Sequence, residues 1–167
     1  MKKDSTFAKT PISKQRFTVQ AALIGSAYAA LTMILAPLSY GPIQVRLSES
    51  LTILPYFTPA AIPGLFIGCL ISNLISPYGM LDLICGSLAT LIAAFCTYLL
   101  RKSRILTPLP PVIINALVIG AMLYYGYGLN ASLPINVLWV GGGEAVACYG
   151  LGFPLLLLLE KRRDIFH

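Results

Sequence analysis

The feature that most constrains this chain is a repeated one: long apolar runs, each stopped by a basic cluster or a proline–glycine break. Such runs cover residues 17–37, 80–100 and 133–159, and shorter ones lie between them. Lys and Arg gather at their ends in three groups: Lys2, Lys3, Lys9, Lys14 and Arg16; then Arg101, Lys102 and Arg104; then Lys161, Arg162 and Arg163. A bilayer core about 30 Å thick takes about 20 apolar residues per helix. The 167 residues therefore suit about six spans joined by turns, and leave no room for a separate catalytic domain. Composition agrees: 57% of residues are hydrophobic and 11% charged, about half the charge of an ordinary soluble domain.

The breaks set the expected helices. The first runs from Phe17 to Pro37, too long for the apolar core of a signal peptide, so it is read as a retained span. The second starts near Val45 and ends at Thr58-Pro59, and the third covers about Ala61 to Ile75. These two are short and bounded by proline; they are either two spans or a re-entrant pair. The fourth covers Met80 to Leu100. The fifth follows Pro108-Leu109-Pro110-Pro111, prolines that suit a helix entrance, and fades at Tyr125–Gly128. The sixth extends from Leu133 to Leu159.

With six spans, all three basic clusters fall on one side, and the loops on the other side (38–44, 76–80 and 126–132) carry no Lys or Arg. The positive-inside rule then predicts both termini in the cytoplasm. The expected organisation is a basic segment over 1–16, one transmembrane domain over 17–160 and a basic tail over 161–167. The net charge of +6 is accounted for by membrane orientation, so no nucleic-acid partner is expected. Asn130-Ala131-Ser132 matches a glycosylation sequon, a pattern too short to carry weight.

Four ionisable groups lie away from the basic side: Arg46, Glu49, Asp82 and Glu144. A charge at mid-bilayer costs about 2.5–3.5 kcal/mol on insertion scales, so each needs a partner, water or a function. Arg46 and Glu49 are three apart and share a helical face, as a local ion pair or as part of a site. Asp82, close to a helix start, reads as an interfacial charge. Glu144 is the sharpest signal, about 16 Å down the sixth helix and preceded by Gly141-Gly142-Gly143, where a ligand or another backbone can come close. Its alternative is a tie to Asn115 or Arg46. Asn73 and Asn115 are further intramembrane polar groups, and Phe57 and Trp139 offer stacking surfaces. Together these predict one polar pocket in the outer half of the bundle.

On the first helix, Ala21, Gly25 and Ala29 form one small-residue stripe, and Ala22, Ser26 and Ala30 an adjoining one. Small residues let helices approach closely in lipid, either inside the bundle or against a partner. The four cysteines show no CxxC spacing and read as small buried hydrophobes. The lone His167 supports no histidine metal site, and no cofactor is expected. Phosphate-loop, nucleophile-elbow and HExxH patterns are all absent, so an enzyme is not expected and any energy source must come from partners or an ion gradient.

The six helices, the orientation and the small-residue first helix resemble the substrate-binding S components of energy-coupling factor (ECF) transporters. More closely, Ile43-Gln-Val-Arg-Leu-Ser-Glu-Ser-Leu-Thr52, followed by Leu54-Pro-Tyr-Phe-Thr-Pro-Ala-Ala-Ile-Pro-Gly-Leu-Phe-Ile-Gly-Cys-Leu-Ile-Ser-Asn73, is similar to the QueT family. That resemblance covers essentially the whole chain. It implies a queuosine precursor of the 7-deazaguanine type as ligand, a transmembrane scaffold protein and two ABC ATPases as partners, and residence in the cell membrane. It places Arg46 and Glu49 in the site, with Glu144, Asn73 and Asn115 beside them and Phe57 or Trp139 on the base. It also puts the stripes of the first helix against the scaffold. Rival readings are an S component for another vitamin or purine-like base, a proton-coupled carrier using Glu144, and a purely structural membrane protein.

Overall fold

A computed structural model describes residues 13–40, 46–128, 132–162 and 166. The sequon at Asn130, the basic residues Lys2, Lys3, Lys9 and Arg163, and the expected start of the second segment at Val45 lie outside the described residues. The described chain is all-helical. Four helices are long and apolar enough to cross a membrane: α1 (Lys14–Ile34), α3 (Gly79–Leu99), α4 (Leu109–Gly126) and α5 (Leu133–Glu160). Between α1 and α3 lie a 3-10 helix, Leu47–Tyr56, and a shorter apolar helix, α2 (Ala61–Asn73).

The sequence predicts an ordinary helix where the 3-10 segment stands, and local chemistry explains the difference. Pro55 has no N–H to donate and its ring crowds the carbonyl four residues back, which disfavours α geometry. Ser50 Oγ bonds the Leu47 carbonyl at 2.7 Å and Thr52 Oγ1 bonds the Glu49 carbonyl at 2.5 Å, side-chain bonds that compete with the regular ladder. The tighter winding rises about 2.0 Å per residue against 1.5 Å. Ten residues therefore reach about as far as the thirteen of α2.

Both short segments have polar contacts at their two ends. At one end Tyr56 donates to Glu160 Oε1 at 2.6 Å, Arg104 pairs with Glu160 at 3.0 Å, and Thr58 donates to Gln20 of α1 at 2.9 Å. These bonds gather the loop after α3, the end of α5 and the early part of α1 at the basic end. At the far end Arg46, just before the 3-10 segment, meets Asn73 of α2 and Asp82 of α3.

Close packing is made with small residues, as lipid requires where it supplies no hydrophobic drive between helices. A Cβ on Gly25 of α1 would stand 2.8 Å from the Gly64 carbonyl, and one on Gly68 of α2 would stand 2.5 Å from the Gly25 carbonyl. The stripe of Ala21, Gly25 and Ala29 is thus internal, spent on α2. Ala22, Ser26 and Ala30 remain exposed on the lipid side. Gly120 of α4 lies equally close to Val137 of α5. One cluster of Ile24, Tyr28, Ile53, Leu54, Leu65 and Leu156 fills the basic half, and Ile119, Met122, Leu123 and Val140 form a second between α4 and α5. Leu23, Ile67, Leu117, Leu138 and Leu158 face outward, an apolar coat that suits lipid.

Three of the long helices carry a widened π turn: Asp82–Gly86 in α3, Met122–Gly126 in α4 and Val146–Gly152 in α5. Such turns free backbone groups and re-aim side chains, and they recur at functional sites. Here one begins at Asp82 and another begins two residues past Glu144.

Candidate functional site

Two layers of buried polar groups cross the bundle. The layer at the far end is built on Arg46. Its Nη2 bonds both oxygens of Asp82, at 2.9 and 3.1 Å, and its Nη1 reaches Asn73 Oδ1 at 3.4 Å. Asn73 returns a bond to the Asp82 carbonyl at 3.0 Å, and Ser76 donates to Asp82 Oδ2 at 2.6 Å. Tyr40 lays its ring against the guanidinium, 5.5 Å from centroid to Cζ, and donates to the Ser72 carbonyl at 2.6 Å. Tyr78 caps this by donating to the Tyr40 carbonyl at 3.4 Å, and Tyr127 of α4 donates to the Tyr78 carbonyl. Gly86 gives the cluster its space: a Cβ there would stand 2.7 Å from Asp82 Oδ1 and 2.9 Å from Asn73 Nδ2.

This corrects two expectations. Asp82 is not a solvated charge at a helix start; it is fully buried in an ion pair. The partner of Arg46 is Asp82, thirty-six residues on, rather than Glu49. An ion pair in such surroundings needs further bonds to hold, and here Asn73 and Ser76 supply them, leaving only Arg46 Nε open.

The deeper layer holds Glu49 and Glu144, 0% and 2% exposed. Tyr28 of α1 donates to Glu49 Oε1, and Thr90 of α3 stands 3.5 Å from the same oxygen. Asn115 of α4 donates its amide to Glu144 Oε1 at 3.0 Å. The Cys148 thiol, one turn past Glu144, lies 3.8 Å from Glu144 Oε2 and 3.5 Å from the Glu49 carbonyl. Segments remote in sequence, from α1 to α5, thus converge on one layer.

What this layer leaves unmade matters most. Glu49 Oε2 and Asn115 Oδ1 are buried acceptors without a hydrogen-bond partner; Arg46 Nε of the far layer, Ser39 Oγ and Ser87 Oγ are buried without one too. Leaving such a group unsatisfied costs about 1–3 kcal/mol, and more when it is charged. Open groups of this kind, above all on the charged Arg46 and Glu49, are costly in a membrane bundle unless something fills them.

Of the residues singled out from the sequence, Arg46, Asn73, Glu49, Asn115 and Glu144 belong to these layers. Phe57 and Trp139 do not. Phe57 lies at the basic end, stacked on Phe166 with centroids 4.9 Å apart and edge-on to Tyr56. Trp139 points outward and is 47% exposed. Helical geometry gives the reason, since residues five apart on an α-helix are about 140° apart around the axis. Asn136, two turns before Glu144 on its own face, is the buried residue instead. Tyr28 and Asn136 are among the buried polar residues that sequence reasoning does not single out, while Asp82 is singled out with a different role. For Asn136 the eight-residue spacing from Glu144 was a usable signal; for Tyr28 there was none. Among the described residues no group of three His, Cys, Asp or Glu side chains is arranged to hold a metal ion, and all four cysteines are free.

No solved structure matches this chain. A protein of Lactococcus lactis subsp. cremoris (strain MG1363) described as queuosine precursor transporter QueT is 42% identical over 82 residues, and the match covers 48% of this chain and 48% of that protein. The chain thus spans about half the length of the relative it matches. The family described as QueT transporter matches residues 18–161, which takes in all four membrane-length helices nearly end to end and every residue of both polar layers. On that extent of likeness, this multi-pass membrane protein belongs to the QueT transporter family.

Proposed function

We propose that the chain is the substrate-capture subunit of an ECF-type transporter and binds a queuosine precursor of the 7-deazaguanine class at the Glu49–Asn115–Glu144 layer. The observation that carries this reading is the set of open atoms: two buried acceptors, Glu49 Oε2 and Asn115 Oδ1, and one buried donor, Arg46 Nε. A guanine-type edge offers the complement, two adjacent N–H donors and one carbonyl. Carbon replaces nitrogen at position 7, so the usual bidentate arginine contact to O6 and N7 is unavailable. A single N–H from Arg46, whose other nitrogens serve Asp82 and Asn73, fits that restriction. An aminomethyl substituent is cationic at neutral pH, and Glu144 supplies the second carboxylate for it. Adenine-like bases present mismatched groups that stay unpaired in a buried site, so they are rejected.

In this reading the 3-10 segment and α2 both cross the membrane, giving six passes with the basic segments 1–16 and 161–167 in the cytoplasm. The protein resides in the cell membrane and works with a transmembrane scaffold protein and two ABC ATPases, which supply the energy. The exposed stripe of Ala22, Ser26 and Ala30 is the side of α1 left for the scaffold.

The test is isothermal titration of the detergent-solubilised protein with 7-aminomethyl-7-deazaguanine, beside mass spectrometry of any small molecule that co-purifies. Binding, with adenine failing to compete, is expected; no binding of the base, or equal competition by adenine, refutes the reading. For docking, Ala22→Leu is expected to lower co-purification with the scaffold while leaving ligand affinity intact. Undiminished co-purification would remove that role from α1.

A further inference from the structure

Tyr28 sits in the middle of an apolar run and nothing around it in the sequence marks it. In the fold it is fully buried, and its hydroxyl donates to Glu49 Oε1. Thr90 adds a longer contact to the same oxygen, while Oε2 has no partner. One turn along α1, the hydroxyls of Thr32 and Ser48 hydrogen-bond at 2.7 Å. Helix α1 therefore grips the 3-10 segment at two adjacent side chains, Ser48 and Glu49.

We infer that Tyr28 is a positioning residue for the ligand: by occupying Oε1 it fixes the plane of the Glu49 carboxylate and dedicates Oε2 to one donor of the base. Selectivity follows from that restraint. A carboxylate with both oxygens free can turn toward donors in many directions. One with an oxygen held offers a single acceptor in a set direction, and a ligand whose N–H points elsewhere leaves it unpaired and buried. The inference rests on the proposed binding site, and its test separates the two.

Wild type, Y28F, E49Q and the Y28F/E49Q double variant are titrated in detergent with 7-aminomethyl-7-deazaguanine, and the ligand-free melting temperature of each is recorded. Y28F keeps the ring and removes the hydroxyl. It is expected to weaken binding by about 10- to 100-fold, with a modest fall in melting temperature because Oε1 keeps only the longer Thr90 contact. In the double variant the tyrosine change should add almost nothing to E49Q, because Tyr28 acts through Glu49. Unchanged affinity in Y28F, or an additive loss in the double variant, overturns the inference. So does a Y28F protein that fails to fold, which would make Tyr28 a structural tie, unless Thr32→Val, which loosens the second grip, still folds and weakens binding by about threefold or more. Failure of the wild type to bind overturns the proposed substrate instead.

Discussion

Two buried carboxylates show how differently one chain can treat the same chemical group. Asp82 has both oxygens filled, by Arg46 and Ser76, and Asn73 bonds both Arg46 and the Asp82 carbonyl, so the carboxylate itself is complete although Arg46 Nε stays open. Glu49 has one oxygen held by Tyr28 and the other left empty. In a medium without water, a completed set of partners marks a group whose role is to hold helices together. An incomplete one marks a place kept for something else. Burial alone does not separate the two cases; counting the bonds of each oxygen does.

The largest effect expected to break this comparison is at Asp82. Asp82→Ala leaves the Arg46 guanidinium buried with only Asn73 and the Tyr40 ring, and should cost about 3–5 kcal/mol of stability. Thermal unfolding in detergent would read this as a large drop in melting temperature; a melting curve like that of the wild type would mean that the ion pair is not structural. Next comes Glu144→Gln, which keeps the shape and the Asn115 contact but removes charge from the open layer. Affinity for 7-aminomethyl-7-deazaguanine should fall well over tenfold, about 1.5–3 kcal/mol, with melting nearly unchanged. A stability loss as large as that of Asp82→Ala would place Glu144 with the filled carboxylate instead. The smallest effect is at Trp139, on the lipid side of the same helix. Trp139→Phe should change affinity by less than about twofold, within the ±0.5 kcal/mol usual for surface changes. A larger loss would bring the indole into the site.

Much of this architecture was readable from residues. The apolar runs gave the four long helices within a few residues, because lipid demands continuous apolar length and tolerates charge only at the ends. Rarity drew attention to Glu49, Asn115 and Glu144, since a polar group in such a run is costly wherever it points. Reading stopped at questions of direction and of distant pairing. The depth of Trp139 could be counted, but its face was not worked out from the five-residue step to Glu144. Asp82 reads as a helix-start charge because its partner lies thirty-six residues away, and no local period reports that. The two small-residue stripes of α1 looked equivalent; Gly64 and Gly68, four apart on α2, were the unread mark of which stripe is internal. Tyr28 resembled any other aromatic in an apolar segment, and only the folded chain brings Glu49 to it.

The glycine contact between α1 and α2 has a mechanical consequence. Where main chain rests on main chain there are no side chains to act as bearings, so the two helices form one stiff plank and neither slides without the other. The plank has a smooth outer edge at Ala22, Ser26 and Ala30 and ends, through Asn73, at the Arg46–Asp82 knot. That edge ends at Ala30, two residues before Thr32, whose hydroxyl bonds Ser48 only two residues from Arg46, so the lipid-facing stripe and the knot are joined through a single short stretch of packed chain.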